Sequence, residues 1–318
     1  MTHYIARRLM LTVPVLLLVT VIVFTLINMI PGDPALVFIG GEAGQDAVEA
    51  LRKQMGLDRP LFVRYVIWLN RLIHGDFGKS VRDGRPVLDV LLLKLPVTVE
   101  LAIVALTVAW AIAIPAGVLA AWKRQSVVDY TATTVALAGI SIPNFWLGIM
   151  LIYLFAVNLR LLPPSGYIEP WIDPVRNIKL MIMPATVLGT ALAALVMRLL
   201  RSSMLEVLGT EFIRTAHAKG LSDRIVIARH ALKNAMIPVA TVMGLQLGGL
   251  LGGAVITEQI FAVPGIGRLA VESIFTRDYP MVQGVVLFSA VAIVFVNFSV
   301  DVVYSFLDPR IRLVEDKT

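Results

Sequence analysis

The 318-residue sequence has no cysteine, and only 16% of its residues are charged. Without cysteine the chain forms neither disulfides nor thiolate metal sites, and thiol catalysis is excluded. Soluble domains carry about a quarter charged residues, whereas 58% of this chain is hydrophobic and its mean hydropathy is +0.81. The scarcity of charge therefore argues against a soluble globular protein.

Motifs for enzymatic chemistry are also scarce. Gly78-Lys79-Ser80 resembles the end of a phosphate-binding loop, but Ile73 stands where that motif needs its first glycine. No serine lies in a nucleophile-elbow context. The histidines are scattered without metal-ligand spacing: His3, His74, His217 and His230. We therefore expect no catalytic residue, no metal site and no cofactor in this chain.

Long apolar blocks make up most of the sequence. About 20 apolar residues at a rise of 1.5 Å cross the hydrocarbon core of a membrane. Six blocks approach or exceed that length: 9–30, 97–121, 131–157, 180–196, 235–257 and 281–306. The first is longer than the apolar core of a cleavable signal peptide. The sequence thus predicts an all-α, polytopic membrane protein with six transmembrane helices.

Charge in the loops predicts the orientation, because lysine and arginine mark short cytoplasmic loops. Segment 197–234 contains seven of them, whereas the nine in segment 31–96 do not count, since long translocated segments escape the rule. We expect an inner-membrane protein with both termini in the cytoplasm. Its parts would be an N-terminal end with the first span (1–30), a periplasmic helical segment (31–96), a five-helix core (97–308) and a tail (309–318).

Two regions between the spans have helical patterns. In the periplasmic segment, stretches 46–55 and 62–73 have helical spacing and should lie outside the bilayer. In the cytoplasmic loop 198–236, Gly220 suits a helix C-terminus because it tolerates positive φ, and Ser222 is placed to cap a second helix. The first helix, over 204–220, has one apolar stripe: Leu205, Leu208, Phe212 and Ala216. A hairpin resting on anionic lipid and a stiff lever between spans both fit this pattern.

The string EFIRTAHAKG at 211–220, with the helix up to Pro238, resembles the EAA loop of binding-protein-dependent ABC importer permeases. It is most similar to the dipeptide/oligopeptide/nickel branch, from which Phe212 and His217 depart mildly. Further strings follow the branch in order: PGDP at 31–34, GDFGKS at 75–80, RSSM at 201–204, NAMIP at 234–238, PGIGR at 264–268, RDYP at 277–280 and DPR at 308–310.

The resemblance implies a type I ABC importer permease fold and half of a translocation path for dipeptides, oligopeptides or related small solutes. It implies as partners the lipid bilayer, a homologous second permease, a solute-binding protein and two ATPases that bind ATP and Mg, with no nucleic acid. It assigns ATPase coupling to Leu208, Glu211, Phe212, Ile213, Arg214, Thr215, Ala216, Lys219 and Gly220. The alternative is a stand-alone secondary transporter or channel, although no inverted repeat or broken-helix pair is evident.

Small residues and prolines occur at several positions within the spans. Gly244, Gly248 and Gly252 recur at four-residue intervals, which lets helices approach closely. Packing within the chain, a contact with a second permease and a glycine-lined pathway all fit this spacing. Three prolines can kink their helices: Pro115, Pro143 and Pro184.

Polar residues within the spans are few. Glu100 and Asp301 are acidic, and Asn297 shares a helical face with Asp301. Such residues usually face protein or water, so they are candidates for structural hydrogen bonds or for the pathway. The external turn 258–280 is expected to bend back toward the membrane and, with segment 31–96, to form the surface for a periplasmic binding protein.

Overall fold

The computed structural model describes residues 2–29, 45–54, 56–252 and 254–307, and the regular elements of these residues are helices joined by loops. The helices in chain order are α1 (Thr2–Met29), α2 (Gln45–Gln54), α3 (Leu61–Ile73), α4 (Val87–Trp122), α5 (Val127–Ser141), α6 (Asn144–Leu151) with a π-helical extension (Ile152–Asn158), α7 (Pro174–Leu208), α8 (Glu211–Ala218), α9 (Asp223–Ile225) with a π-helical extension (Val226–Ala231), α10 (Leu232–Leu251), α11 (Val255–Ile260), α12 (Ile266–Phe275) and α13 (Tyr279–Leu307). The all-α prediction is confirmed.

Five helices of the described chain are long and apolar enough to cross a membrane, namely α1, α4, α7, the α9–α10 unit and α13; the pair α5–α6 makes a sixth if its two helices are counted as one span. That pair is bent by 100°, so the third span predicted over 131–157 consists of two helices, and the expected absence of a broken-helix pair is wrong. Pro143 explains the bend, because it has no N–H to continue α5 and its ψ of 133° is extended.

Helices α4 and α7 form the centre of the molecule and run side by side in the same direction. Small residues bring their backbones together. A Cβ at Gly189 would lie 2.8 Å from the carbonyl oxygen of Ala105, and one at Gly117 would lie 3.1 Å from that of Met197. Around this pair pack α5, α6 and α10, while α13 contacts α10, and α1 contacts α13.

Several predicted boundaries differ from the structure. The predicted helices 46–55 and 62–73 are confirmed as α2 and α3. The predicted fifth span, 235–257, is too long: α10 ends at Leu251, and a separate helix, α11, begins at Val255. Helices α4 and α7 continue beyond the apolar blocks that predicted spans two and four.

Candidate functional site

The junction between α7 and α8 interrupts the helix predicted over 204–220. Thr210 is extended, with φ −81° and ψ 155°. Its hydroxyl donates a 2.6 Å hydrogen bond to the carbonyl of Val207, and the N–H of Gly209 bonds the carbonyl of Glu206 at 3.1 Å. These bonds satisfy the last carbonyl groups of α7, so the chain ends one helix and begins another at Glu211.

Helix α8 is attached to the body by one face. Ile213 is 2% exposed and Ala216 is 7% exposed. Both belong to the apolar cluster that contains Met204 at the end of α7 and Val226 and Ala231 before α10. A force on α8 would therefore reach the ends of two spans through direct apolar contact.

The remaining side chains of α8 are exposed. Phe212 shares the predicted apolar stripe with Ala216 but is 45% exposed, whereas Leu208 is half-buried against the apolar cluster. Glu211 and Arg214 form an exposed ion pair at 2.6 Å. Thr215 and Lys219 are exposed as well. Of the nine predicted coupling residues, Ile213 and Ala216 thus face inward, and an aromatic ring with mixed charges faces outward.

Gly220 turns the chain after α8. Its φ is +80°, and its N–H donates to the carbonyl of His217 at 2.9 Å, a C-terminal cap that favours glycine. The next helix begins at Asp223, so the predicted glycine-linked pair of helices is confirmed. The side-chain cap predicted for Ser222 is wrong: its carbonyl accepts the N–H groups of Ile225 and Val226, and its hydroxyl makes no cap bond.

A partly buried ion pair lies two turns before the end of α7. Arg201 donates from Nε and Nη2 to the two carboxylate oxygens of Asp129, at 2.6 and 2.7 Å. Asp129 also accepts the N–H of Gln125 at 3.0 Å. The pair fixes the start of α5 to α7. Sequence analysis missed it, because 72 residues separate the partners and nothing local marks Asp129 except its place three residues after the capping Ser126.

The glycine stripe of α10 faces α13. A Cβ at Gly244 would collide with Val300, one at Gly248 would lie 3.3 Å from Oδ1 of Asn297, and one at Gly252 would lie 3.1 Å from Cδ1 of Ile293. Of the interpretations left open by the sequence, packing within the chain agrees with these contacts. Asn297 lies in this interface, while the side chain of Asp301 is outside the described residues.

Glu100 joins three parts of the chain. Its carboxylate accepts 2.8 and 2.6 Å hydrogen bonds from the Tyr167 hydroxyl and the Asn177 amide. Tyr167 lies in the loop before α7, where burial and the neighbouring carboxylate of Glu100 raise its pKa. With both oxygens bonded, Glu100 has the contacts of a structural residue.

At the other end of the bundle from α8, the N-terminus of α12 surrounds a buried carboxylate. Glu258 accepts the N–H of Arg268 at 2.8 Å and the hydroxyl of Thr98 at 3.1 Å, and that hydroxyl accepts the N–H of Ile266 at 2.8 Å. An anion at a helix N-terminus is favourable. A Cβ at Gly265 would lie 2.5 Å from Glu258 Oε1. This close approach explains the glycines of PGIGR, and it brings turn 258–280 against α4.

A second polar joint at this end involves the string GDFGKS. Ser80 donates to Asp278 Oδ2 at 2.5 Å, and Asp278 Oδ1 accepts the N–H groups of Val81 and Met281. The apparent nucleotide-loop fragment therefore fastens the loop before α4 to the start of α13. The described residues contain no group of three or more histidine, aspartate or glutamate side chains placed to hold a metal ion.

Comparison with known proteins gives consistent matches. Residues 113–313 match the family described as "Binding-protein-dependent transport system inner membrane component", and residues 1–102 match its N-terminal family. The dipeptide transport system permease protein DppB of Alkalihalophilus pseudofirmus is 42% identical, over 98% of this chain and 100% of that protein. DppB of Escherichia coli K12 is 43% identical, over 98% and 99%.

The fold of this chain is also similar to that of a solved structure. A chain of the inward-facing methionine ABC transporter MetNI superposes with a TM-score of 0.56 at 17% identity. The superposition covers 69% of this chain and 96% of that chain. The helical arrangement described above is therefore shared with an ABC importer.

Proposed function

This chain belongs to the binding-protein-dependent transport system inner membrane components and is a permease subunit, and we propose that it serves an ATP-driven importer of dipeptides or short oligopeptides. The proposal is supported by the 42–43% identity to dipeptide permeases over nearly the full chain. In this proposal a homologous second permease completes the path, a solute-binding protein delivers the peptide, and two separate ATPases bind ATP and Mg. A stand-alone transporter is not favoured, because the family depends on a binding protein.

The coupling element in this proposal is α8, and the observation that carries it is the division of its two faces. Ile213 and Ala216 hold α8 to the ends of α7 and α10, while Phe212 and the Glu211–Arg214 pair face outward. An exposed aromatic ring on a short, well-anchored helix suits insertion into a groove of another protein. Closure of two ATPases on ATP would then move α8 and the spans as a rigid body.

The orientation follows from the same proposal. The end that carries α8 faces the cytoplasm, together with both termini, and the end that carries α3, α11 and α12 faces the periplasm. The arginine and lysine residues of segment 197–234 support this assignment.

Because the chain has no cysteine, single cysteines test the coupling contact without a background. Phe212→Cys and Thr215→Cys in the assembled importer, treated with a short thiol-to-amine cross-linker, should link to an ATPase subunit. Val135→Cys, which replaces a side chain that is 70% exposed on α5, is the control and should not. If Phe212→Cys links to no ATPase in a complex that contains both ATPases, α8 is not the coupling element.

Transport in proteoliposomes tests the substrate. With the solute-binding protein and ATP present, labelled dipeptides or short oligopeptides should accumulate, and unlabelled peptides should compete. Accumulation of glutathione or a nickel chelate, with no uptake of peptides, would overturn the peptide assignment while leaving the permease role intact.

A further inference from the structure

A cleft of about 740 Å³ lies at the end of the bundle opposite α8. It is enclosed by the last turns of α1, by α2 and α3, and by the first turn of α13. Aromatic rings form part of its wall: Phe24, Trp68, Phe77 and Tyr279. Five cationic side chains and one carboxylate also line it: Arg52, Lys53, Arg59, Arg64, Arg71 and Asp76. The cleft therefore combines strong positive charge with apolar surface.

Helix α3 has two different sides, and only one of them faces this cleft. Arg64 and Arg71 lie on the cleft side. At 100° per residue, Phe62 and Ile73 fall on the opposite side, where they are 75% and 74% exposed. That apolar side has the pattern of a helix lying in the membrane interface, and in this inference it faces the lipid. The cleft consequently opens away from the lipid.

Contacts with α1 hold α3 in this orientation. The hydroxyl groups of Tyr65 and Thr20 are 2.8 Å apart, and the ring of Phe24 lies 5.4 Å from that of Tyr65 and 5.5 Å from that of Trp68. These contacts with α1 place Arg64 and Arg71 on the side of α3 that lines the cleft.

The charge of the cleft calls for several anionic groups. Lys53 has a neighbour in Glu49 at 3.4 Å, and Asp76 accepts the N–H of Gly78, but the lining as a whole is cationic. Partial burial lowers the pKa of Arg64, as expected where a cation loses water. A peptide substrate has one terminal carboxylate and one ammonium group, and the ammonium would be repelled here. A protein surface with several aspartate or glutamate side chains matches the cleft better.

We propose that this cleft is the docking site for an acidic patch on the solute-binding protein, whose aspartate and glutamate carboxylates pair with its arginines. The inference rests on the proposed function, since it requires a binding protein that approaches from the periplasm. Arginine suits this role because its planar fork binds carboxylates with two parallel hydrogen bonds.

The test measures binding of the solute-binding protein to the assembled importer in nanodiscs, with Arg59→Gln and Arg71→Gln combined. Both side chains are exposed, so the change should leave assembly intact. We expect affinity at low salt to fall about tenfold and its salt dependence to flatten, because charge complementarity governs encounter. Arg59→Lys with Arg71→Lys should restore most of the salt dependence.

The matched control is Arg176→Gln with Lys179→Gln, two exposed cations at the same end that do not line the cleft; its affinity should equal that of the wild type. Wild-type affinity in the Arg59/Arg71 variant would overturn the proposal. So would a defect seen only in phosphatidylglycerol nanodiscs and not in phosphatidylcholine, which would identify a lipid site.

A measurement on the wild type keeps the proposal testable if the variant fails to assemble. Polyglutamate should compete with the solute-binding protein for the importer, and absence of competition would overturn the proposal. Failure of the proposed function looks different. If peptides are not transported but docking depends on these arginines, the substrate assignment fails and the docking site stands.

Discussion

The two ends of this permease subunit are fastened differently. At the end that carries α11 and α12, buried polar groups hold the loops: Glu258 bonds Thr98 and Arg268, and Asp278 bonds Ser80. At the end that carries α8, the apolar side chains of Ile213 and Ala216 make the attachment.

The difference concerns how each contact responds to movement. Hydrogen bonds to a buried carboxylate are directional, and breaking them leaves an uncompensated charge, so the α11–α12 end is expected to keep its shape. Apolar contacts tolerate small shifts. The α8 end can therefore transmit motion, and the Asp129–Arg201 pair marks where the rigid part of that end begins.

The largest expected effect comes from breaking that pair. Arg201→Ala leaves the carboxylate of Asp129 buried without its main partner, which should lower the free energy of unfolding by about 3 kcal/mol. Thermal unfolding of the purified complex in detergent measures it. Arg198→Ala, at an exposed arginine on the same helix, is the control and should change little. Equal melting temperatures for the two variants would show that the α8 end has no rigid joint.

A methyl group at Gly265 probes the opposite end. Gly265→Ala would push a Cβ against Glu258 Oε1 and Thr98 Oγ1, which lie 2.5 and 2.6 Å from its position. We expect a loss of about 2 kcal/mol through overpacking. Gly249→Ala, which meets no atom within 4 Å, should be neutral in the same thermal assay. If Gly265→Ala left the melting temperature unchanged, the hydrogen bonds around Glu258 would tolerate displacement.

Changes at Gly220 test the end that carries α8. Gly220→Ala has space but an unfavourable φ of +80°, which costs about 1 kcal/mol. Gly220→Pro also removes the N–H donor to His217, so it should abolish stimulation of ATPase activity by the loaded binding protein while the complex still assembles. Gly209→Ala, where φ is −81°, should retain stimulation. Normal stimulation of ATPase activity in Gly220→Pro would contradict the coupling role of α8.

The smallest expected effect is a pH dependence at the polar end. Burial raises the pKa of Glu258, although the N–H of Arg268 and the hydroxyl of Thr98 oppose the rise. The folded state therefore binds this proton more tightly than the unfolded chain does. Stability is greatest below the ordinary pKa of glutamate and falls as pH rises through the raised pKa. Melting temperatures of the wild type and of Glu258→Gln, plotted against pH, should differ in this slope. Equal slopes would show that Glu258 is not its source.

Local patterns predicted much of this architecture. Apolar length found the six spans, helical spacing found α2 and α3, and the positive φ of Gly220 followed from its place after an amphipathic helix. These features depend on neighbouring residues. Pro143 indicated a kink, but its angle depends on how α6 packs against α7 and α11, which sequence spacing does not contain.

The hydrogen-bonded polar contacts could not be predicted from local patterns. Glu258 and Thr98 are 160 residues apart, and Ser80 and Asp278 are 198 apart, so no local period connects them. The inward position of Ile213 on α8 was missed because the helix over 204–220 was predicted without a break. The break at Thr210 separates Leu205 and Leu208 from α8, in which Ile213 and Ala216 are the buried residues and Phe212 is 45% exposed.

The bend between α5 and α6 limits how this subunit can stand in a bilayer. Pro143 cannot donate to the carbonyl of Gly139, and an unmet backbone group in hydrocarbon is costly. A spin label at exposed Ser141 should therefore be quenched by a water-soluble reagent more than one at Val135. We expect the flank with Ser141 to face another chain or an aqueous chamber, in which case one imino acid would limit the angular placement of the subunit within the complex.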